Sequence, residues 1–366
     1  MATRRKVLAG AAVVGAAGVA SVAYLASGPD VAAEAAALRA PLDLDAPTIE
    51  ARNRELVRFA SLAPNSHNTQ PWRFALHGDL IVIRPDVARR CPVVDPDDHH
   101  LWVSLGCAAE TLALAATAFD LDAEATFVEG SDPRLELALK PSGGGETDPR
   151  VAAIPERQST RSLFDGPPMT AAERSALAIA ARRPGVGFRL AQDALKDALR
   201  DRIAAANTAQ MSDPAFMAEL EQWIRFSEAS AVESGDGLFA RTTGNPAVPR
   251  WLGRRLLPYL LDPEAESRRY AEQIDSSAAL AVFVSGVDRP EGWVETGRAF
   301  QRFALAASHL GLAHAHVNQA VELPDVRREI ADLLDLGRSR PSLLIRIGRA
   351  PPLPYSLRRP VDAVIA

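Results

Sequence analysis

Three stretches of this 366-residue chain carry side chains that could do chemistry. Residues 157–165 read Arg157-Gln158-Ser159-Thr160-Arg161-Ser162-Leu163-Phe164-Asp165. In extended backbone Arg157, Ser159 and Arg161 project to the same side. Two planar guanidinium forks and a hydroxyl on one face suit the oxygens of a phosphate monoester. Residues 63–72 read Ala63-Pro64-Asn65-Ser66-His67-Asn68-Thr69-Gln70-Pro71-Trp72, a dense polar loop closed by an aromatic. Arg358 and Arg359, in the C-terminal tail, could close a phosphate site, with a surface role for one of the two as the alternative. A strand followed by Gly-x-Gly-x-x-Gly is missing, and so is a Walker loop. A tightly held mononucleotide such as FMN therefore fits better than NAD or FAD.

The first two stretches fall in different copies of a repeated unit. A shift of 191 residues lays Val103, Gly106 and Ala108 on Val294, Gly297 and Ala299. It lays Ala113-Leu114-Ala115-Ala116 on Ala304-Leu305-Ala306-Ala307 and Leu121 on Leu312, giving eight identities in 19 ungapped positions. Both segments carry apolar residues at helical spacing, so each reads as a buried helix. Chance likeness between two Ala-rich helices is the competing explanation, and the aligned glycines and similar sequels favour duplication. A helix over 47–61 leads into the polar loop. Its counterpart, capped by Thr170 and Glu173 and running to about 182, leads only into Arg183-Pro184-Gly185. Each half lacks what the other supplies, which predicts one flavin site assembled between them.

Composition sets the outer bounds. With 47% hydrophobic residues the chain can bury one large core or two ordinary ones. A net charge of −5 argues against nucleic acid as the main partner. Cys91 and Cys107 give neither a disulfide framework nor a metal-ligand set, and each reads as a small buried side chain. Residues 1–30 begin with Thr3-Arg4-Arg5-Lys6 and continue in a weakly hydrophobic Ala/Gly/Val run. That pattern is an export signal of the twin-arginine type, leading to a periplasmic or other extracytoplasmic location. The run is also about long enough to span a bilayer, which leaves cleavage and retention as an anchor as alternatives. An Ala-rich linker, 31–38, separates it from the fold.

Strands are expected over 72–76 and 80–83, joined at His77-Gly78-Asp79, and again over 125–128 and 135–139. Asp95, Asp97 and Asp98 suit the start of the buried helix of 101–119. His99-His100 invites a metal, but adjacent residues project to different helix faces, so none is expected. A linker over 142–147 divides an N-terminal half (45–142) from a C-terminal half (153–366). The latter carries an insertion over 195–270 that reads either as a lid or as a packing hairpin. Later strands are expected over 186–190, 280–284, 314–321 and 343–348.

Taken together, Ala63-Pro64…Asn68-Thr69-Gln70-Pro71-Trp72, Arg157-x-Ser159-Thr160-Arg161…Phe164-Asp165 and Ile347-Gly348-Arg349…Arg358-Arg359-Pro360 resemble the nitroreductase family of FMN enzymes, over about residues 47–366. Ordinary members are homodimers with both motifs in every subunit. The division of motifs between two fused copies resembles the Acg-like branch, in which one polypeptide imitates the dimer. The resemblance implies an α+β fold of two tandem half-domains forming a pseudo-dimer, each a sheet flanked by helices, and a monomer in solution. It implies that Arg157, Ser159 and Arg161 bind the FMN phosphate and ribityl end. Pro64, Asn65, Ser66 and Asn68 would line the ring, with Gln70 and Trp72 supporting that loop, and Arg358 or Arg359 would reach the phosphate. Asn318 and Gln319 would lie near the flavin's reactive N5. Arg268 and Arg269 are candidates for the cation near N1 and O2.

The function implied is two-electron hydride transfer through the flavin to a nitroaromatic, quinone or similar small acceptor. No catalytic acid or nucleophile is required of the protein, because the cofactor carries the chemistry. The alternative is a flavin-sequestering protein whose insertion covers the ring and which turns over little.

Overall fold

A computed structural model of the chain describes residues 29–366. The export signal expected over 1–30 lies, but for its last two residues, outside the described chain. The linker expected over 31–38 is instead helix α1 (Val31–Leu38), whose first turn is capped by the Asp30 carboxylate accepting from the Ala32 and Ala33 amides, each at 3.0 Å. Its Ala35 packs with Ala231, Phe239 and Leu357, so this segment is docked, not a spacer.

Two halves follow the same route. In the first, α2 (Ile49–Ala60) precedes a hairpin of β1 (Trp72–His77) and β2 (Leu80–Pro85). Then come the long helix α3 (His99–Ala116), β3 (Leu121–Val128) and β4 (Arg134–Pro141). Their sheet is antiparallel with order β1-β2-β4-β3. In the second, α4 (Ala171–Ala180) precedes β5 (Val186–Ala191). An insertion follows, made of α5 (Asp193–Met211), α6 (Pro214–Trp223), the short parallel pair β6 (Ile224–Arg225) and β7 (Leu238–Phe239) around α7 (Glu228–Ser234), then α8 (Arg250–Leu260) and α9 (Pro263–Asp275). The chain returns as β8 (Ala279–Ser285), α10 (Pro290–His309), β9 (Ala313–His316), α11 (Gln319–Glu322), α12 (Pro324–Leu333) and β10 (Arg340–Gly348). This sheet has order β5-β8-β10-β9, the same topology. A last turn, α13 (Val361–Val364), ends the tail.

The fold is thus α+β, with two half-domains in one chain. The insertion sits inside the hairpin that joins β5 to β8, whereas β1 and β2 are joined by a turn at Gly78, whose φ is +63°. That difference explains the burial patterns. Strands β8 and β10 are buried along their whole length. Ala281, Phe283 and Ile345 face α10, while Leu280, Val282 and Leu344 face the inserted α5 and α12. Strand β4 alternates buried and less buried residues, as a sheet with one open face should. The strand expected over 314–321 ends at His316. Asn318 accepts from the Leu344 amide at 2.9 Å, and its carbonyl takes the Glu322 amide, so the chain turns into α11.

Helices α3 and α10 form the axis of the molecule. A Cβ placed on Gly106 would meet the Val294 carbonyl oxygen at 2.1 Å, and one on Gly297 would meet that of Val103 at 2.0 Å. These contacts exchange under the 191-residue shift, so a pseudo-twofold axis passes through the crossing. Cys107 Sγ donates to the Gly297 carbonyl across it at 3.2 Å. At the same seam the buried Glu110 receives Arg298 at 2.9 Å and Arg302 at 2.6 Å. Helix α3, with the turn after it, is long and apolar enough to cross a membrane, but nearly all of its residues are buried as core. Neither glycine has room for a side chain. Gly297→Ala should therefore cost about 3 kcal/mol, read as a drop in urea midpoint. Ala at Gly145, where only the Ser142 side chain approaches, should leave the midpoint unmoved. A stable Gly297→Ala protein would show that the helices do not cross this closely.

Candidate functional site

The polar loop leaves the C-terminal end of α2 and is braced by the other half. His67, Asn68 and Gln70 all adopt left-handed backbone, with φ of +47°, +54° and +54°. Such strain persists only where surroundings over-determine it. Here Asn65 Oδ1 accepts from the Gln70 amide at 2.8 Å, fixing the loop from inside. Asn68 Nδ2 donates to the carbonyls of Gly237 and Leu357, both at 3.1 Å. The fully buried Gln70 donates to the Gly235 carbonyl at 2.9 Å and accepts from the Arg359 amide at 2.9 Å. The loop of the first half is thus held by the insertion and the tail of the second.

Across from it runs the 157–161 stretch. Ser159 pairs with His314 in a parallel bridge, and the Thr160 amide donates to the His314 carbonyl at 2.9 Å. Arg346, fully buried, donates to the Thr160 carbonyl at 2.9 Å and that of Ser162 at 2.7 Å, while Gln273 donates to the Arg161 carbonyl at 2.8 Å. These bonds fix the backbone on both sides of Arg161. Arg157, Ser159 and Arg161 all face one narrow pocket of about 60 Å³, together with Arg39, Pro64, Asn65, Asn68 and Arg358. It shares Pro64, Asn65, Arg161, Leu238 and His316 with a cavity of about 210 Å³. That cavity is lined further by Ser66, His67, His100, Tyr270, Gln319 and Glu322, under a roof of Met211, Phe216 and Leu220 from the insertion.

The electrostatics of the narrow end are one-sided. Arg157 is 3% exposed, Arg358 7% and Arg39 9%. Among the described residues no carboxylate lies within ion-pair reach of these three or of Arg161. Instead Arg157 donates to the Leu62 carbonyl at 2.9 Å, and Arg358 to those of Ser61 at 2.7 Å and Leu62 at 3.2 Å. These carbonyls follow the C-terminal end of α2, where the helix dipole is negative. They offset the charges only in part. Nε and Nη1 of Arg157 remain without a partner, as does Arg39 Nε. Burial, aided by the neighbouring cation Arg39, pushes the Arg157 guanidinium down to about 10, and burial does the same to Arg39. Arg358 is depressed by burial and then by Arg39 and Arg157. A bound anion would remove this penalty.

The wider cavity adds orphaned acceptors and a phenol. Gln319 leaves Oε1 unpartnered, and Asn68 leaves Oδ1 so at the narrow end. Tyr270, on α9, reaches Gln319, and burial raises its hydroxyl against the pull of Arg161. A larger cavity, about 1550 Å³, is an open groove between residues 29–44 and the 352–355 tail. Apart from Arg39, none of the buried unpartnered groups faces it.

Most expected residues meet in this cleft, and three do not. Arg359 turns beneath the loop, donating to the carbonyls of Gln70 at 3.2 Å and Trp72 at 3.3 Å, and lines neither part of the cleft. Arg268 is exposed and pairs with Glu264 at 3.6 Å, while Arg269 pairs with Glu266 at 3.7 Å. Neither faces the cavity, because α9 turns Tyr270 inward instead. Asn318 lines the cavity, but its side-chain oxygen is committed to β10. His99 and His100, expected to project apart, do not. Both sit at the first turn of α3, and their ring nitrogens come within 4.8 Å of each other and of Asp95. A metal is still disfavoured, since Asp95 is occupied by the His100 and Leu101 amides at 3.0 Å each and the nearby Arg340 is cationic. Arg39, Tyr270 and Glu322 escaped the sequence reading, and His100 drew notice only as a metal candidate, because only three-dimensional convergence brings them to the cleft.

The fold and cleft define an α+β protein of two tandem halves that line a shared cleft, with motifs that resemble those of nitroreductases. No family model matches the chain. It is 27% identical over 326 residues to "Putative NAD(P)H nitroreductase Rv3131" of Mycobacterium tuberculosis, covering 85% of this chain and 90% of that protein. It is 26% identical to "Putative NAD(P)H nitroreductase acg" of the same organism, covering 85% and 94%. The resemblance to the nitroreductase family therefore holds along both halves. Among solved structures, the FMN- and NADPH-dependent nitroreductase NfnB of a Sphigopyxis strain matches with TM-score 0.38 and 18% identity, over 59% of this chain and 97% of that one. A Bacteroides fragilis nitroreductase with bound FMN matches with TM-score 0.35 and 16% identity, over 56% and 90%. Scores this low decide nothing about the site.

The buried imidazoles make stability depend on pH. His314, fully buried with neither nitrogen partnered, is pushed by burial down to about 3, and His99 also lies well below its usual range. Unfolded, each ring titrates near about 6.5. Below that pH the unfolded chain binds protons that the native rings refuse. Stability is therefore full above about pH 6.5 and falls on acidification by up to about 1.4 kcal/mol per ring per pH unit. Melting temperature should fall between pH 6.5 and 5, and His314→Leu should make that fall shallower. An unchanged slope in the variant would mean that the ring is charged in the native state.

Proposed function

We propose that the chain is an FMN-dependent oxidoreductase of nitroreductase type, reducing a nitroaromatic, quinone or similar acceptor. One observation supports this above the others: four arginines, Arg39, Arg157, Arg161 and Arg358, surround the narrow end of a cleft lined by both halves, without a carboxylate among them. Isolated buried cations cost several kcal/mol each unless a ligand compensates them. A phosphate monoester fits that end, and a flat ring with polar edges fits the wider part, where Pro64, Asn65, Ser66 and Gln319 converge. When bound, the flavin would supply two-electron hydride chemistry. The protein's part is to hold the anionic end with Arg157, Ser159, Arg161 and Arg358, and to keep water out beneath the roof of the insertion. Export by the twin-arginine route belongs to the same reading, and would deliver the protein with its cofactor already loaded.

The test is an absorbance spectrum of the purified protein before and after anaerobic NADPH. A flavin spectrum that bleaches supports the reductase. One that stays oxidised points to another donor or to a sequestered flavin, and no flavin even after incubation with FMN sinks the proposal. The arginines give a second expectation. Arg157→Met with Arg161→Met keeps volume but removes charge, and Arg358 still donates to the Leu62 carbonyl. The variant should lose FMN retention by 100-fold or more, about 3 kcal/mol, while the apoprotein melts no lower than wild type. Retained yellow colour would place the phosphate elsewhere.

A further inference from the structure

Three imidazoles line the wider cavity, His67, His100 and His316, and their surroundings differ in charge. His100, the second residue of α3 and 5% exposed, lies between two carboxylates. Its Nε2 is 3.5 Å from Glu322 Oε1, on α11, and Asp95 sits at the start of its own helix. Glu322 itself lines the cavity, and its other oxygen accepts from Gln210 Nε2, on α5, at 2.7 Å. The remaining charged or titratable groups that face His100 are Arg340 from β10, its neighbour His99, His67 from the polar loop and His316 from β9. Burial and Arg340 oppose a charge on His100, but Glu322 and Asp95 outweigh them and raise it above its usual range. His67 is pushed down to about 4, and His316 also lies well below its ordinary value. Of the imidazoles lining the cavity, then, His100 is the one whose surroundings favour the charged form. A buried ion pair is a poor way to gain stability, and one that opens onto a reaction cavity marks a functional group.

We propose that His100 is the proton donor to the oxygen of an acceptor reduced in this cavity, an inference that rests on the oxidoreductase reading. Reduction of a quinone to a hydroquinone takes two electrons and two protons. A hydride supplied by a bound, reduced flavin would bring both electrons and one proton. The second proton comes from His100: its N–H bond breaks as an O–H bond forms on the acceptor. The neutral ring is left beside Glu322 and regains its proton from water when the product leaves. Glu322 acts as a positioning residue, holding the ring protonated and turned to the cavity.

The test separates proton transfer from electron transfer. The holoprotein is reduced with dithionite and mixed in stopped flow either with benzoquinone or with ferricyanide, which takes electrons singly and no protons. His100→Gln should slow reoxidation by benzoquinone about 100-fold or more, and leave reoxidation by ferricyanide within about twofold of wild type. Glu322→Gln should slow the quinone reaction and shift its pH profile to lower pH. The second readout needs no turnover. The His100 ring, followed by 15N NMR in protein with and without flavin, should titrate above about 6.5, and lower in Glu322→Gln. Benzoquinone and ferricyanide rates that fall together, or a ring that titrates below 6.5, overturn the proposal while a flavin spectrum leaves the oxidoreductase reading standing. No bound flavin overturns both. Should His100→Gln fail to fold, the Glu322→Gln titration and pH profile decide the matter.

Discussion

The molecule depends on the approach of two helix backbones at Gly106 and Gly297. At about 2 Å from a carbonyl oxygen, a Cβ on either residue would have nowhere to go. The crossing therefore fixes the two halves against each other with little rotational play. Close-packed interiors transmit such constraints because they deform little. The carboxylate of Glu110 reinforces the seam by gathering arginines from α10. Once the halves are set, the loop on one and the arginine stretch on the other have a single relative position, and the cleft is its consequence.

Symmetry would give two such clefts, and the chain has kept the parts of one. Where the first half has its polar loop, the second has the turn at Arg183, which pairs with Glu295 at 2.6 Å. A site with an open cationic face is replaced there by a closed ion pair. The inserted helices in the β5–β8 hairpin then cover the second face of one sheet and roof the surviving cavity. The C-terminal tail completes the exchange. It carries Arg358 to the end of α2, and its last residue donates to the Phe74 carbonyl at 2.7 Å. Divergence of the halves and construction of a single site are thus the same structural event.

Sequence periodicity showed the two halves, the central helices and most strands, since these rest on local spacing and on buried apolar faces. It showed Arg157, Ser159 and Arg161 together because alternation in extended backbone is also local. It missed what depends on long-range convergence. Arg39 lies at the end of a segment whose Ala-rich composition reads as a spacer, until Ala231, Phe239 and Leu357 give it a surface to dock on. Tyr270 and Glu322 come from separate helices, and only the fold brings them to one cavity. Arg358 and Arg359 were indistinguishable as neighbours, and only their partners divide them, one at the cleft and one under the loop.

The buried arginines fix how stability and function oppose each other here. Were the cleft only a packing feature, carboxylates or apolar side chains would serve better at Arg157 and Arg358, because uncompensated cations lower the stability of the empty protein. The chain instead uses the carbonyls of residues 61–63 to hold these guanidiniums in place without neutralising them. It adds Arg346, stacked 3.9 Å above Phe164 and bonded to the carbonyls on either side of Arg161, to keep the opposite wall from collapsing inward. Neutral acceptors orient a cation but leave its field available to a ligand. A carboxylate would have spent that field within the protein. The choice of carbonyls over carboxylates is what leaves this end of the cleft with uncompensated positive charge, where a buried seam between two halves would have neutralised it.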